Sequence, residues 1–238
     1  MNVENRTVLV TGANGGLGQA LVQELLERGA KKIYAACRSP ESLPAYDDRV
    51  VPLTLDITSL EQIARAVLLA PDVDILVNNA GLNRQQRLLD ATSVNAAGEE
   101  MAVNYFGTLN LCRAYAPILS SRGGAIISVL SILARVTLPA MGSLCASKAA
   151  GLRLAEGMRA ELRESGVHVM AVLPGVIDTA MSLGFPGPKA SPGAIAKSIV
   201  EGLASGVETL YPDAMAQQVA RGMSEDRESV VRGFSGYL

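Results

Sequence analysis

The chain has 238 residues, of which 49% are hydrophobic and 18% charged, and its formal net charge is −2. That length buries a sizeable core in one domain and calls for no second one. The near-balanced charge excludes the basic field that draws nucleic acid or an anionic membrane surface, and no apolar run nears the roughly 18 residues that would span a bilayer.

The chain enters an apolar strand pattern at 7–11 almost at once, with no basic segment or small-residue cleavage site ahead of it, as expected of a chain without a leader. Next come a glycine-rich turn, a helical pattern over 18–28, apolar runs at 32–37 and 50–54, a helix over 60–69 and a strand at 73–78. The second half continues with a long helix over 95–121, a strand at 125–130, a helix over 142–164, a strand at 167–173, a helix over 192–204 and a last strand near 209–211. Runs that are apolar on both faces, separated by helices, predict a single doubly wound Rossmann-type α/β domain over 1–238, with about seven parallel strands and helices on both faces. The Gly- and Pro-rich stretch at 182–191 reads equally as a lid over a substrate and as an ordinary surface connection.

Cys37, Cys112 and Cys145 are odd in number and scattered through apolar segments, which argues against a disulfide framework or a CxxC metal site and fits a reducing, cytoplasmic setting. No cluster of His, Cys and carboxylates has metal-ligand spacing, so no metal is expected. The single histidine, His168, falls in an alternating strand and reads as a half-buried structural residue.

The turn T11-G-A-N-G-G-L-G18 follows the first strand and opens the first helix, where glycines let the backbone approach a pyrophosphate and the helix N-terminus offers unpaired N–H groups. Its spacing, Gly12, Gly16 and Gly18, resembles that of the short-chain dehydrogenase/reductase family. Three further segments carry the same resemblance: N78-N-A-G81 at the end of the fourth strand, Asn104 within V103-N-Y-F-G107, and Pro174, Gly175 and Thr179 after the sixth strand. Together they span about residues 5 to 180.

The resemblance implies a dinucleotide cofactor held by Gly12, Asn14, Gly16, Leu17 and Gly18, by Asp56 and Ile57 after the third strand, by Asn79, Ala80 and Gly81, and by Lys148, Pro174, Gly175, Ile177 and Thr179. The second strand ends A36-C37-R38-S39 with no carboxylate to bind a ribose 2′-hydroxyl. Arg38 and Ser39 instead suit a 2′-phosphate, which favours NADP over NAD. Arg38 also reads as a solvated loop charge, and Asp56 as an N-cap of the following helix.

The resemblance also implies a hydride transfer to or from a carbonyl or alcohol carbon, with a tyrosine moving the oxygen's proton. It puts the serine role on Ser131, the lysine role on Lys148 and the asparagine role, holding a relay water, on Asn104. Taken alone, Ser131 also reads as a serine capping its own backbone and Asn104 as a structural amide. The tyrosine would lie thirteen residues after Ser131 and four before Lys148, and that position is Leu144. No tyrosine lies between Tyr115 and Tyr211 to replace it, and a leucine has no proton to exchange.

An NADP-dependent oxidoreductase acting on an apolar carbonyl or alcohol, impaired or altered at its acid step, is therefore expected. The alternatives are a non-catalytic NADP-binding protein and a chain inactivated by a Tyr-to-Leu exchange. Val136, Leu138, Met141 and the 182–191 loop are expected to line the substrate pocket. By resemblance, the helices over 95–121 and 142–164 would pair chains into a homodimer or homotetramer.

Overall fold

The structure, a computed structural model, describes residues 1–236. The first half contributes β1 (Thr7–Thr11), α1 (Gly16–Glu27), β2 (Lys32–Cys37), β3 (Val50–Thr54), α2 (Leu60–Leu69) and β4 (Ile75–Asn78). The second contributes α3 (Ala96–Met101), α4 (Thr108–Arg122), β5 (Ala125–Val129), α5 (Gly142–Glu161), β6 (His168–Val172), α6 (Pro192–Ala204), β7 (Thr209–Leu210), α7 (Ala214–Glu225) and α8 (Arg227–Ser235).

All seven strands are parallel, in the order β3-β2-β1-β4-β5-β6-β7. The chain works outward from β1 to β3, then returns to lay β4 against the other side of β1. That reversal opens a crevice beyond the carboxyl ends of β1 and β4, where open α/β sheets bind ligands.

Successive strand residues face opposite layers, so each strand feeds two cores. Leu9, Leu76, Ile126 and Val169 pack with Leu111, Tyr115 and Leu152 on one face. Val8, Val10, Ile75, Val77 and Met170 pack with Leu21, Val22, Ile195 and Ile199 on the other. His168 is partly buried, its Nε2 lies 3.1 Å from the Val207 carbonyl oxygen, and burial holds its pKa below the usual value.

The structure departs from the sequence reading in three places. β4 starts at Ile75, because the Asp74 carboxylate itself accepts the Thr7 N–H at 2.9 Å. The long helix expected over 95–121 is interrupted by a π-helical turn over 102–107. The stretch after 212, left unassigned, forms α7 and α8, whose side chains Ala216, Val219, Val230 and Phe234 build a third small core with Ile132 and Val136. The expected domain runs to 238, and its last two residues lie outside those described.

Candidate active site

A cleft of about 1500 Å³ runs along the carboxyl ends of β1, β4, β5 and β6. Its floor is the glycine-rich turn, built where side chains have no room. Gly12 has φ +63° and a Cβ there would lie 2.9 Å from Ala80 Cα; a Cβ on Gly18 would lie 2.1 Å from the Gly12 carbonyl oxygen. The Thr11 hydroxyl fixes the opposite lip by accepting the Asn79 and Ala80 N–H groups, each at 3.0 Å, while the Asn79 side-chain amide donates to the Thr11 carbonyl at 2.9 Å. No side chain caps the N-terminus of α1, so its first N–H groups face the cleft without one.

Gly12, Asn14, Gly16, Leu17, Gly18, Arg38, Asp56, Ile57, Asn79, Ala80, Gly81, Lys148, Pro174, Gly175, Ile177 and Thr179 all line this cleft, as the sequence reading had grouped them. Ser39 does not line it: it is exposed, and its carbonyl accepts the Ser42 hydroxyl at 2.6 Å. Ser42 in turn accepts from the Asn14 amide at 3.0 Å, tying the loop after β2 to the glycine-rich turn. Asp56 is not the N-cap of α2, a role taken by Ser59, which accepts the Gln62 N–H at 3.3 Å. Burial acts to raise the Asp56 carboxyl, but the hydroxyl and N–H of Thr58 and the nearby Arg38 charge outweigh it and hold the pKa low.

The far wall is α5. Leu144 and Lys148, one turn apart, both line the cleft, with Ser131 opposite at the end of β5. Leu144 is 5% exposed, so its hydrocarbon is packed into the wall. The Lys148 ammonium donates to the Val129 carbonyl at 3.3 Å, and burial, only partly offset by Glu100, lowers its pKa to about 8. Ser131 accepts the Leu133 N–H at 3.1 Å, so it does cap its own backbone, while its hydroxyl proton stays available to the cleft.

Asn104 sits in the π-helical turn, a distortion that often marks functional sites. It lies behind the cleft wall rather than on it: its amide accepts the Leu82 N–H at 2.8 Å and donates to the Leu82 carbonyl and to the Ser147 hydroxyl, both at 2.9 Å. The Cys145 thiol is held against Leu138, accepting its N–H at 3.3 Å, and burial raises its pKa.

The mouth of the cleft is apolar, lined by Leu138, Met141, Met181, Leu183, Phe185 and residues of α7 and α8. The loop at 182–191 lies on this wall and is anchored by a bridge between Ile177 and Ala190. Val136 is not part of the wall, being turned into the small core under α7 and α8. Sequence reasoning missed the contribution of Met215, Val219, Val230 and Phe234. Their signal was present: Met215, Val219 and Met223 repeat every four residues behind Asp213, and Val230 and Phe234 do so behind Asp226. Asp213 accepts the Ala216 N–H at 2.9 Å as the N-cap of α7 and the Gly175 N–H at 2.8 Å, locking this helical pair to the end of β6.

A parallel sheet with its crevice at the strand-order reversal and a glycine-rich turn on its floor defines a Rossmann-type nucleotide-binding protein. Among known proteins, the short chain dehydrogenase family matches residues 6–185. A crystal structure of a short chain dehydrogenase from Burkholderia cenocepacia J2315 in complex with NADP is 51% identical, with a TM-score of 0.96 over 98% of this chain and 99% of that one. A dehydrogenase/reductase SDR family protein 7-like from Drosophila melanogaster is 31% identical over 90% of this chain and 68% of its own. A 2-(R)-hydroxypropyl-CoM dehydrogenase from Xanthobacter autotrophicus is 32% identical over 75% of this chain and 77% of its own. The chain belongs to the short-chain dehydrogenase/reductase family.

Proposed function

We propose that this protein is an NADP-dependent oxidoreductase acting on an apolar carbonyl or alcohol, with its acid step weakened because Leu144 stands where the family uses a tyrosine. The observation that carries the reading is the glycine-rich turn at the strand-order reversal: at Gly12 and Gly18 a methyl group would meet the protein's own backbone, so only glycine lets the turn pack tightly under the start of α1, the setting that suits a pyrophosphate. The bare N-terminus of α1 supplies the donors. Arg38, exposed beside the cleft, suits the 2′-phosphate that distinguishes NADP from NAD. The complex of the Burkholderia relative with NADP supports the same choice.

The bound cofactor supplies or accepts a hydride. This chain's own residues do the rest. Asn79, Ala80, Gly81, Pro174, Gly175, Ile177 and Thr179 border the cofactor's path, Lys148 holds its ribose, and Ser131 orients the substrate oxygen. Asn104 shapes the wall by fixing Leu82 and holds a relay water. The apolar mouth excludes water and selects a hydrophobic substrate. A groove between α4 and α5, lined by Tyr105, Leu109 and Leu154 with Phe106 exposed beside it, supports pairing of two chains along these helices.

A second reading, a non-catalytic NADP-binding protein, is favoured by Leu144 alone. Fluorescence titration with NADPH and NADH, followed by a screen of ketones and aldehydes, separates the two. Micromolar NADPH binding with measurable reduction of some apolar carbonyl is expected; tight binding without turnover of any carbonyl is the outcome of the second reading, and no binding below about millimolar contradicts both.

A further inference from the structure

Arg84 and Glu99 form an ion pair on the cleft wall that the functional reading leaves unused, with Arg84 Nε 2.5 Å from Glu99 Oε2. The Arg84 main chain is fixed on both sides: its N–H donates to the buried Glu100 carboxylate at 2.6 Å, and its carbonyl accepts the Gln86 amide at 3.2 Å. The next residue, Gln85, is held in a left-handed conformation at φ +52°, uncommon for a residue with a side chain, and its N–H donates to the Asn83 side chain at 2.8 Å. The Asn83 amide in turn lies 3.6 Å from Met141 Sδ, which puts this segment at the apolar mouth, away from the glycine-rich floor.

The charged residues lining the cleft are Arg38, Asp56, Arg84, Glu99 and Lys148. In the functional reading Arg38 and its neighbour Asp56 stand at the adenosine end, and Lys148 is committed to the ribose. Among the described residues, the substrate half of the wall therefore carries the Arg84–Glu99 pair and no other charge. Two cations close by in the chain are turned elsewhere: Lys189 donates to the Ser182 carbonyl at 2.8 Å, and Arg87 pairs with Asp90.

Both side chains of the pair are about half exposed, and a surface ion pair of this kind contributes little to stability. Its consequence is for ligands. An unpaired guanidinium at an apolar mouth would seat a carboxylate or phosphate in its fork, and an unpaired carboxylate would seat an ammonium. Paired, each cancels the other, and a charged group brought against this wall loses water without gaining a partner.

We propose that the substrate is an uncharged carbonyl compound or alcohol, and that Glu99 is a specificity-determining residue: by occupying the Arg84 guanidinium it removes the anion site of the substrate mouth. This rests on the oxidoreductase reading above and narrows it to compounds without a carboxylate, phosphate or ammonium group. Arg84 does the reciprocal service, screening the Glu99 carboxylate from cations.

Matched ligands test this without turnover. A medium-chain keto amide, and the keto acid and keto amine of the same carbon skeleton, are titrated by calorimetry at pH 7, where the last two are ionised, onto protein saturated with oxidised NADP, which has no hydride to give. The wild type is expected to bind the amide at least about 10-fold more tightly than either ion. Glu99→Gln frees the guanidinium and is expected to narrow the amide-to-acid ratio by roughly 3- to 10-fold; Arg84→Gln frees the carboxylate and is expected to narrow the amide-to-amine ratio by a similar factor. A wild type that prefers the acid overturns the proposal even if neither variant folds, because the anion then displaces Glu99. An unchanged amide-to-acid ratio in folded Glu99→Gln overturns the role of Glu99, and failure of the amide to bind overturns the uncharged substrate. The NADP titration is read first: without NADP binding the functional reading fails and takes this proposal with it, whereas NADP binding with a reversed ligand order leaves that reading standing and removes this proposal alone.

Discussion

The two walls of the cleft are built from different materials. The cofactor side is mostly backbone: Gly12, Gly18 and the uncapped start of α1, clamped to β4 by the Thr11 hydroxyl and the Asn79 amide. The α5 side is side-chain chemistry: Lys148, Leu144, Ser131, and Glu100 behind them. A backbone surface fails when anything is added to it, whereas a side-chain surface changes its chemistry when one group is exchanged. That difference is how one chain can combine a tightly packed glycine-rich turn on one wall with a hydrocarbon, Leu144, on the other.

The contrast is broken most severely by adding one methyl group to the cradle. Gly18→Ala puts a Cβ 2.1 Å from the Gly12 carbonyl oxygen, backbone that cannot swing away. Overpacking of this kind costs about 1–3 kcal/mol, so NADPH affinity by fluorescence titration is expected to fall by up to about 10² and the melting temperature to drop. An unchanged dissociation constant would show that the turn does not carry the cofactor.

A smaller effect, confined to one phosphate, is expected of Arg38→Ala. Losing a charge-assisted hydrogen bond costs about 1.5–3 kcal/mol, which weakens NADPH by roughly 10- to 150-fold and leaves NADH nearly unchanged. Equal weakening of both nucleotides would assign Arg38 a structural role. Asp213→Ala acts mainly on the apolar mouth: α7 loses its N-cap, and the Gly175 N–H loses its acceptor. The expected cost is about 1–2 kcal/mol in a denaturant titration, with NADPH affinity little altered.

The same contrast decides what was legible in the sequence. Strands such as 7–11 and 32–37 were readable to the residue, because uninterrupted apolar runs between turns have one solution in a doubly covered sheet. The tight turn was readable because glycine spacing records backbone proximity directly. Ser39 lies outside the cleft lining since adjacency in the chain does not fix which way a loop residue turns, and Val136 lies in the small core because an apolar side chain is equally at home in a pocket wall and in a core. Glu100 was invisible for the opposite reason. In E99-E100 one carboxylate is exposed and the other buried, and only the packing of α3 on α5 tells them apart.

In the proposed function, the cofactor site is complete and the missing phenol limits the chemistry. That reading is tested most directly by single-turnover reduction of an apolar ketone by bound NADPH in the wild type and in Leu144→Tyr. Equal NADPH affinity is expected, with a gain in the reduction rate on the order of 10², the lower end of what a general acid contributes. Equal rates in the two proteins at equal NADPH occupancy would contradict it.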